Sequence, residues 1–275
     1  MRGFILAAGL GTRLRPLTER LPKPLVPVAG VPLVLRALLQ MRDAGVDEIG
    51  INLFHLGHLI QEFLGDGRRY GVALTYFDEQ PTVLGTGGGL KNAEGFLRDG
   101  GDRFVLANAD VWHDFDLSAI LQGHAARALA TMVVHRCDHR PELHNVGCWR
   151  DDLRSGQVVH IAGKPRPEAV AEFLGIYTGV AVYSTRLLDW LPAAKVSGLV
   201  SHGLLPAMEQ GEMVRFLEPD GHWFDCGTHA ELLRASHFAL KSRRHGLDRR
   251  LRSLGRATTP LRDVAGSGQG PHLPS

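Results

Sequence analysis

The chain has 275 residues, 44% of them hydrophobic, and a formal net charge of +2. This suits one large α/β domain or two small ones with a real core, and no 18-residue apolar run suggests a membrane span. The charge is uneven: Lys241 to Ser275 carries eight Lys/Arg against two Asp/Glu, and the rest carries 23 against 27, so the body offers no basic face for nucleic acid.

The apolar run Met1 to Leu6 predicts a buried strand. It breaks into Ala7-Ala-Gly-Leu-Gly-Thr12, where Ala8, Gly9 and Gly11 put almost no side chain above the strand end. Backbone N–H groups in such a loop can approach phosphate oxygens closely. Arg13 and Arg15 add cationic forks, and Lys23 stands between Pro22 and Pro24, presented from a stiff segment. Together they suit a polyphosphate. The dinucleotide fingerprint fails at Leu14, where a third glycine belongs, and no P-loop sequence is present.

Val31 to Gly45 predicts a helix, Glu48 to Leu53 a strand, Leu56 to Leu64 a helix and Val72 to Phe77 a strand. This β-α-β-α-β alternation predicts a parallel sheet with helices on both faces, and ligands outside the strand carboxyl ends. Gly85-Thr-Gly-Gly-Gly89 is expected to be a loop feeding a helix whose N-terminus favours an anion or a base edge. Arg103 to Asp110 predicts a strand ending in an acid placed to hold Mg²⁺. Asp116 is expected as an N-cap or first-turn acid rather than a ligand.

Ser118 to Ala126 predicts a helix and Leu129 to Val134 a strand. His135, Cys137, His139, His144 and Cys148 crowd together without a C-x-x-C or H-x-x-x-H frame, so a polar hairpin is expected in preference to zinc. Strands are predicted at Asn145–Trp149, Gln157–Ile161 and Leu174–Tyr183, and helices at Thr185–Leu191 and Gly198–Glu209. Asp225 ends a short apolar run, and Thr228-x-x-Glu231 is a capping box opening a last helix. Beyond Lys241 the chain is Arg-rich, then linker-like, and is expected to be partly disordered. Three cysteines without paired spacing and an N-terminus without a signal-peptide pattern lead to an expected cytoplasmic location.

The run Gly9-x-Gly-Thr-Arg13, with Pro16-Leu-Thr18 and Lys23-Pro24, resembles the signature of the sugar-1-phosphate nucleotidyltransferases. The resemblance extends in motif order over roughly residues 3 to 235. It implies an α/β, Rossmann-like three-layer sandwich with a mixed, mostly parallel sheet, the nucleotide-diphospho-sugar transferase fold. It also implies a nucleotidyltransferase domain over 1–240, with a nucleotide half to about 125 and a sugar-phosphate half from about 126. The implied reaction joins an NTP, UTP or GTP, to a sugar 1-phosphate with release of pyrophosphate. A catalytically inactive nucleotide-sugar-binding homologue is the alternative.

By that resemblance Arg13 and Lys23 are catalytic, and Leu6, Ala8, Gly9, Gly11, Thr12, Arg13, Gln80 and Gly85 hold the nucleotide. Asn108, Gly147, Lys164 and Thr178 hold the sugar phosphate. Asp110 and Asp225, the latter in Trp223-x-Asp-x-Gly-Thr228, bind Mg²⁺. Gly163 departs from the glutamate that the family often carries before its lysine. Short bacterial members acting on N-acetylmuramate, mannose or heptose 1-phosphate are the most similar in layout. The oligomeric state stays open.

Overall fold

The computed structural model describes residues 1–136, 140–165, 171–193 and 196–242. Its N-terminal part strings together β1 (Arg2–Leu6), a small hairpin of β2 (Pro27–Val28) and β3 (Val31–Pro32), α1 (Leu33–Asp43), β4 (Glu48–Leu53), α2 (Gly57–Leu64) and β5 (Ala73–Asp78). It continues through α3 (Gly85–Asn92), α4 (Glu94–Asp99), β6 (Arg103–Asn108), β7 (Val111–His113) and α5 (Leu117–Gln122). The second part holds β8 (Ala130–His135), β9 (Val146–Arg150), β10 (Ser155–Ile161), β11 (Phe173–Ser184), α6 (Leu187–Trp190), α7 (Leu205–Glu209), β12 (Val214–Leu217), β13 (Trp223–Asp225) and α8 (His229–Lys241). A π-helical turn, Val200–Leu204, leads into α7.

One sheet runs through the molecule in the order β5-β4-β1-β6-β11-β8-β12-β10-β9. Alternate residues of its central strands feed two separate cores, as a strand's period of two requires. Ile5, Val105 and Ala107 pack with α1, α2 and α5. Phe4, Phe104 and Leu106 pack with Leu90 of α3, Leu97 of α4, Leu187 of α6 and Ala207 of α7. Helices therefore cover both faces, giving three layers. The mixed sheet is present, but it is not mostly parallel. β5, β4, β1 and β6 are parallel neighbours and β8 is parallel to β12, whereas every pairing of β9, β10 and β11 is antiparallel. Part of the reason is local: only Asp151 to Arg154 separate β9 from β10, and so short a connection returns the chain antiparallel.

Strand β12 was not expected from the sequence, although it lies between β8 and β10. Its four residues, Val214-Arg-Phe-Leu217, are too few to show a period. The glycine run is not a loop either, since Gly85 to Gly89 form the first turns of α3. Helix α1 ends where Gly45 takes φ +84, its N–H reaching the Arg42 carbonyl and the next N–H the Met41 carbonyl. A third, smaller core joins Leu14, Val26, Val28 and Trp112 to Cys226, Leu232 and Ala235. It brings the stretch after the first glycine loop, β7 and α8 to one place.

Among the described residues no helix is long and apolar enough to cross a membrane. Of the His/Cys-rich stretch expected to be a polar hairpin, Cys137 and His139 lie outside the described residues, as does the basic tail beyond Ser242.

Candidate active site

The site begins at the carboxyl end of β1. Gly11 adopts φ +62, and a Cβ there would come within 3.1 Å of the Lys23 Cβ and 3.0 Å of Thr18. The Thr18 hydroxyl donates to the Gly11 carbonyl at 2.8 Å, closing the loop that carries Thr12 and Arg13. Lys23 opens a 3₁₀ turn braced by its flanking prolines and is 6% exposed. Its Nζ donates to Asp110 Oδ2 at 2.7 Å. A lysine so deeply set is tolerated because its ammonium has a carboxylate partner.

Asp110 lies in the turn between β6 and β7, and Asp225 ends β13. The two are neighbours because β13 pairs antiparallel with β7, Asp225 facing Val111, and the Cys226 N–H donates to the Asp110 carbonyl at 3.1 Å. Arg13 Nη1 lies 3.7 Å from Asp225 Oδ2. Gly227 makes room for this: a Cβ there would meet Arg13 Nη2 at 2.5 Å and Asp225 Oδ1 at 2.8 Å. Two cations and two carboxylates thus converge where β1, β6 and β13 end. Each carboxylate keeps part of its surface open, the Asp110 side chain being 40% exposed and Asp225 18%. Two open carboxylates are a hard-oxygen donor set that suits Mg²⁺ sharing its shell with phosphates. Among the described residues no group of three or more His, Cys, Asp or Glu gathers into a fuller cage.

The other nominated residues fall in three places. Leu6 and Ala7 are already tied in: the Leu6 carbonyl accepts the Ala109 N–H, and the Ala7 N–H goes to Asn52 Oδ1 at 2.7 Å. Ala8 is buried, Gly9 is exposed, and a Cβ on Gly9 would meet nothing. Gln80 is exposed beside the same end of the sheet, its Nε2 3.4 Å from the Phe54 carbonyl. Gly85, at φ +74, faces Ser197, whose carbonyl a Cβ would meet at 2.7 Å. That carbonyl also accepts the Gly87 and Gly88 N–H groups at 2.8 and 3.2 Å. The N-terminus of α3, expected to receive an anion, therefore has two of its first amides occupied by the chain itself.

On the antiparallel side, Asn108 lies against Gly179, where a Cβ would meet its Nδ2 at 2.6 Å. Lys164 is exposed on a tight turn through Ala162 and Gly163, both at positive φ, closed by the Ile161 and Lys164 backbone pair. Gly147 leaves room for the His160 ring, since a Cβ on it would clash with Nε2. His160 Nδ1 accepts the Gly163 N–H at 3.3 Å. Thr178, expected to hold the sugar phosphate, has no open surface: it is fully buried and its hydroxyl donates to the Val133 carbonyl at 2.9 Å. Its own carbonyl accepts the Trp223 indole N–H at 2.9 Å, so it steadies the strand that carries Asp225.

Asp116 is an N-cap, accepting the Ser118 N–H at 2.9 Å. Thr228 caps α8 through the Glu231 N–H at 3.3 Å, but only half of the capping box forms. The Glu231 carboxylate turns instead to Arg234 at 3.1 Å and Arg140 at 3.7 Å. Sequence reasoning did not single out Asn52, Glu79, Arg140 or His160. The first two carried a signal: a polar amide at the end of an apolar strand, and an acid just after one.

This sheet, with a cation-lined turn at its carboxyl edge, defines the class: a nucleotide-sugar pyrophosphorylase fold. It matches a UDP-glucose pyrophosphorylase from Acinetobacter baumannii with TM-score 0.71 at 21% identity, covering 94% of this chain and 99% of that one. A UTP-bound UGPase from the same organism gives TM-score 0.71 at 21% identity over 92% and 97%. The sequence model of the nucleotidyl transferase family matches residues 2–242, and the chain belongs to that family. Among relatives, the N-acetylmuramate alpha-1-phosphate uridylyltransferase of Neisseria meningitidis is 35% identical over 87% of this chain and 98% of its own length. The UTP–glucose-1-phosphate uridylyltransferase of Synechocystis is 29% identical over 82% of this chain and 60% of its own. The mannose-1-phosphate guanyltransferase of Gibberella zeae is 29% identical over 88% and 65%. The chain thus spans under two thirds of the latter two and nearly all of the first.

Proposed function

We propose that this chain transfers a nucleotidyl group from an NTP to a sugar 1-phosphate, giving an NDP-sugar and pyrophosphate. The observation that carries it is the convergence of Lys23, Asp110, Arg13 and Asp225 within one cluster of 2.7 and 3.7 Å ion pairs. The parallel half would take the nucleotide and the antiparallel half the sugar phosphate. UTP with N-acetylmuramate 1-phosphate is the pair favoured here, because the relative named for it matches along nearly its whole length.

A phosphate oxygen of the sugar 1-phosphate attacks the α-phosphorus, that bond forms, and the bond to the bridging oxygen breaks as pyrophosphate leaves with its electron pair. Two anions must meet, so the barrier is one of repulsion and alignment, met by positioning and positive charge. Arg13 and the amides of the glycine loop hold the departing pyrophosphate. Lys23 meets the charge that builds on the α-phosphate, and Lys164 holds the incoming phosphate. Asp110 and Asp225 would hold Mg²⁺, which supplies charge neutralisation at the phosphates. No general base is required, because a phosphate monoester is already ionised near neutral pH.

The test is a matrix of UTP, GTP, CTP, ATP and dTTP against sugar 1-phosphates, read as pyrophosphate release with Mg²⁺. Turnover with UTP and N-acetylmuramate 1-phosphate supports the full reading, and turnover with another pair revises the substrate alone. Tight nucleotide-sugar binding with no release from any pair would favour the inactive homologue.

A further inference from the structure

A short buried chain of side chains crosses from the first glycine loop to the second. Asn52 stands at the end of β4, opposite Leu6 in parallel register, and is 2% exposed. Its Oδ1 accepts the N–H of Ala7, the first residue of the phosphate-side loop, at 2.7 Å. Its Nδ2 donates to Glu79 Oε1 at 2.7 Å. Glu79, also 2% exposed, accepts the Leu84 N–H on its other oxygen at 2.8 Å. Leu84 is the residue from which α3 starts, and Gln80, nominated for the base, follows Glu79 directly. The network leaves no space for a larger neighbour: a Cβ on Gly89 would lie 2.6 Å from Glu79 Oε1 and 2.8 Å from Asn52 Nδ2.

A buried carboxylate and amide are costly unless their partners are complete, and here each oxygen of Glu79 has one. A hydrophobic pair of similar size would fill the same volume at less cost. What the polar pair adds is a fixed distance between two backbone segments, Ala7 on one side and Leu84 on the other, that have no common strand. We infer that Asn52 and Glu79 are positioning residues that lock the phosphate-side loop and the base-side loop into one unit, so that the contact with the base governs where the triphosphate lies. The inference rests on the nucleotide reading above. Neither residue touches the reacting atoms.

Coupling predicts an effect that a purely local role would not produce. Inorganic tripolyphosphate has no base, so only the first loop can hold it. In the full chain with Mg²⁺, calorimetric titration of Glu79→Gln with tripolyphosphate and with UTP is the experiment. Glu79→Gln keeps the shape but turns an N–H toward an N–H at either Leu84 or Asn52. The expected result is that both ligands weaken, by about tenfold for one lost buried hydrogen bond. Asn52→Asp, which removes the donor to Glu79, should weaken both likewise. If tripolyphosphate binds Glu79→Gln as it binds the parent while only UTP weakens, the loops are independent and the inference is overturned.

Amide hydrogen exchange, which needs no ligand, separates this from failure of the functional reading. In Glu79→Gln the amides of residues 7–12 and 80–88 should exchange faster together, with the rest of the chain unchanged. Faster exchange confined to residues 80–88 overturns the inference even where no nucleotide binds. Exchange raised in every segment marks global destabilisation of that variant. Asn52→Asp then decides by the same two outcomes, coupled or confined.

Discussion

The parallel and antiparallel halves of the sheet present their phosphate-binding candidates in opposite ways. In the parallel half, Lys23 is buried, paired and flanked by prolines, and the loop beside it is tied to the sheet through Asn52 and Glu79. In the antiparallel half, Lys164 is exposed on a tight turn, without an ion-pair partner among the described residues. The difference teaches where rigidity is placed. On the proposed division of labour, the firmly held half is the one that takes the triphosphate, the part every NTP shares.

The largest expected effect comes from the carboxylates on which the two halves meet. Asp110→Asn or Asp225→Asn should lower kcat by about a thousandfold or more with the fold intact, checked by circular dichroism. Full activity in either variant would remove the metal assignment. Next, the halves should differ in their tolerance of a single methyl group. Gly89→Ala puts a Cβ into the Asn52–Glu79 network and should cost about 1–3 kcal/mol of stability in denaturant unfolding. Gly163→Ala, at φ +73 with open space around it, should cost about 1 kcal/mol, from backbone conformation alone.

Beside the parallel half, β7 packs a buried titratable group against α1. His113 stacks on Phe115 near Arg36, and burial lowers its pKa to about 3. Its folded pKa lies below the unfolded value, so the unfolded chain takes up the proton first as pH falls. The stability present above about pH 6.5 should therefore fall by about 2 kcal/mol by pH 5. In His113→Gln this acid dependence should flatten; an unchanged slope would assign it elsewhere. The smallest effect is the most selective. Lys164→Ala should raise the KM for sugar 1-phosphate about tenfold and leave that for NTP unchanged. Equal changes in both would break the division of labour between the halves.

Much of the parallel half was legible in the sequence, because its strands and helices are long enough to show their periods and its loops carry glycine and proline. Asp110 and Asp225 were legible as candidates by motif, yet only the β7–β13 pairing shows that they meet. Three features were hidden. The glycine-rich start of α3 reads as a loop because glycine is a poor helix former. Gly85, Gly87 and Gly89 are needed because Ser197, Asn52 and Glu79 leave no room for a Cβ, and the helix start is held by the Glu79 carboxylate and the Ser197 carbonyl, which accept the Leu84, Gly87 and Gly88 N–H groups. Strand β12 is too short to announce itself, and only half of the capping box at Thr228 forms because the Glu231 carboxylate goes to Arg234, one turn on, and to Arg140, far away in sequence. At α3 a contact distant along the chain overrides a local preference.

The pairing of β7 with β13 joins segments more than a hundred residues apart, and with it the two acidic groups become neighbours. While the ribosome is still adding residues, the first part of the protein can gather its sheet and even its buried lysine. It cannot yet own both acids, since one has not been synthesised. On the proposed roles of Asp110 and Asp225, catalytic competence therefore arrives late in the synthesis of each polypeptide.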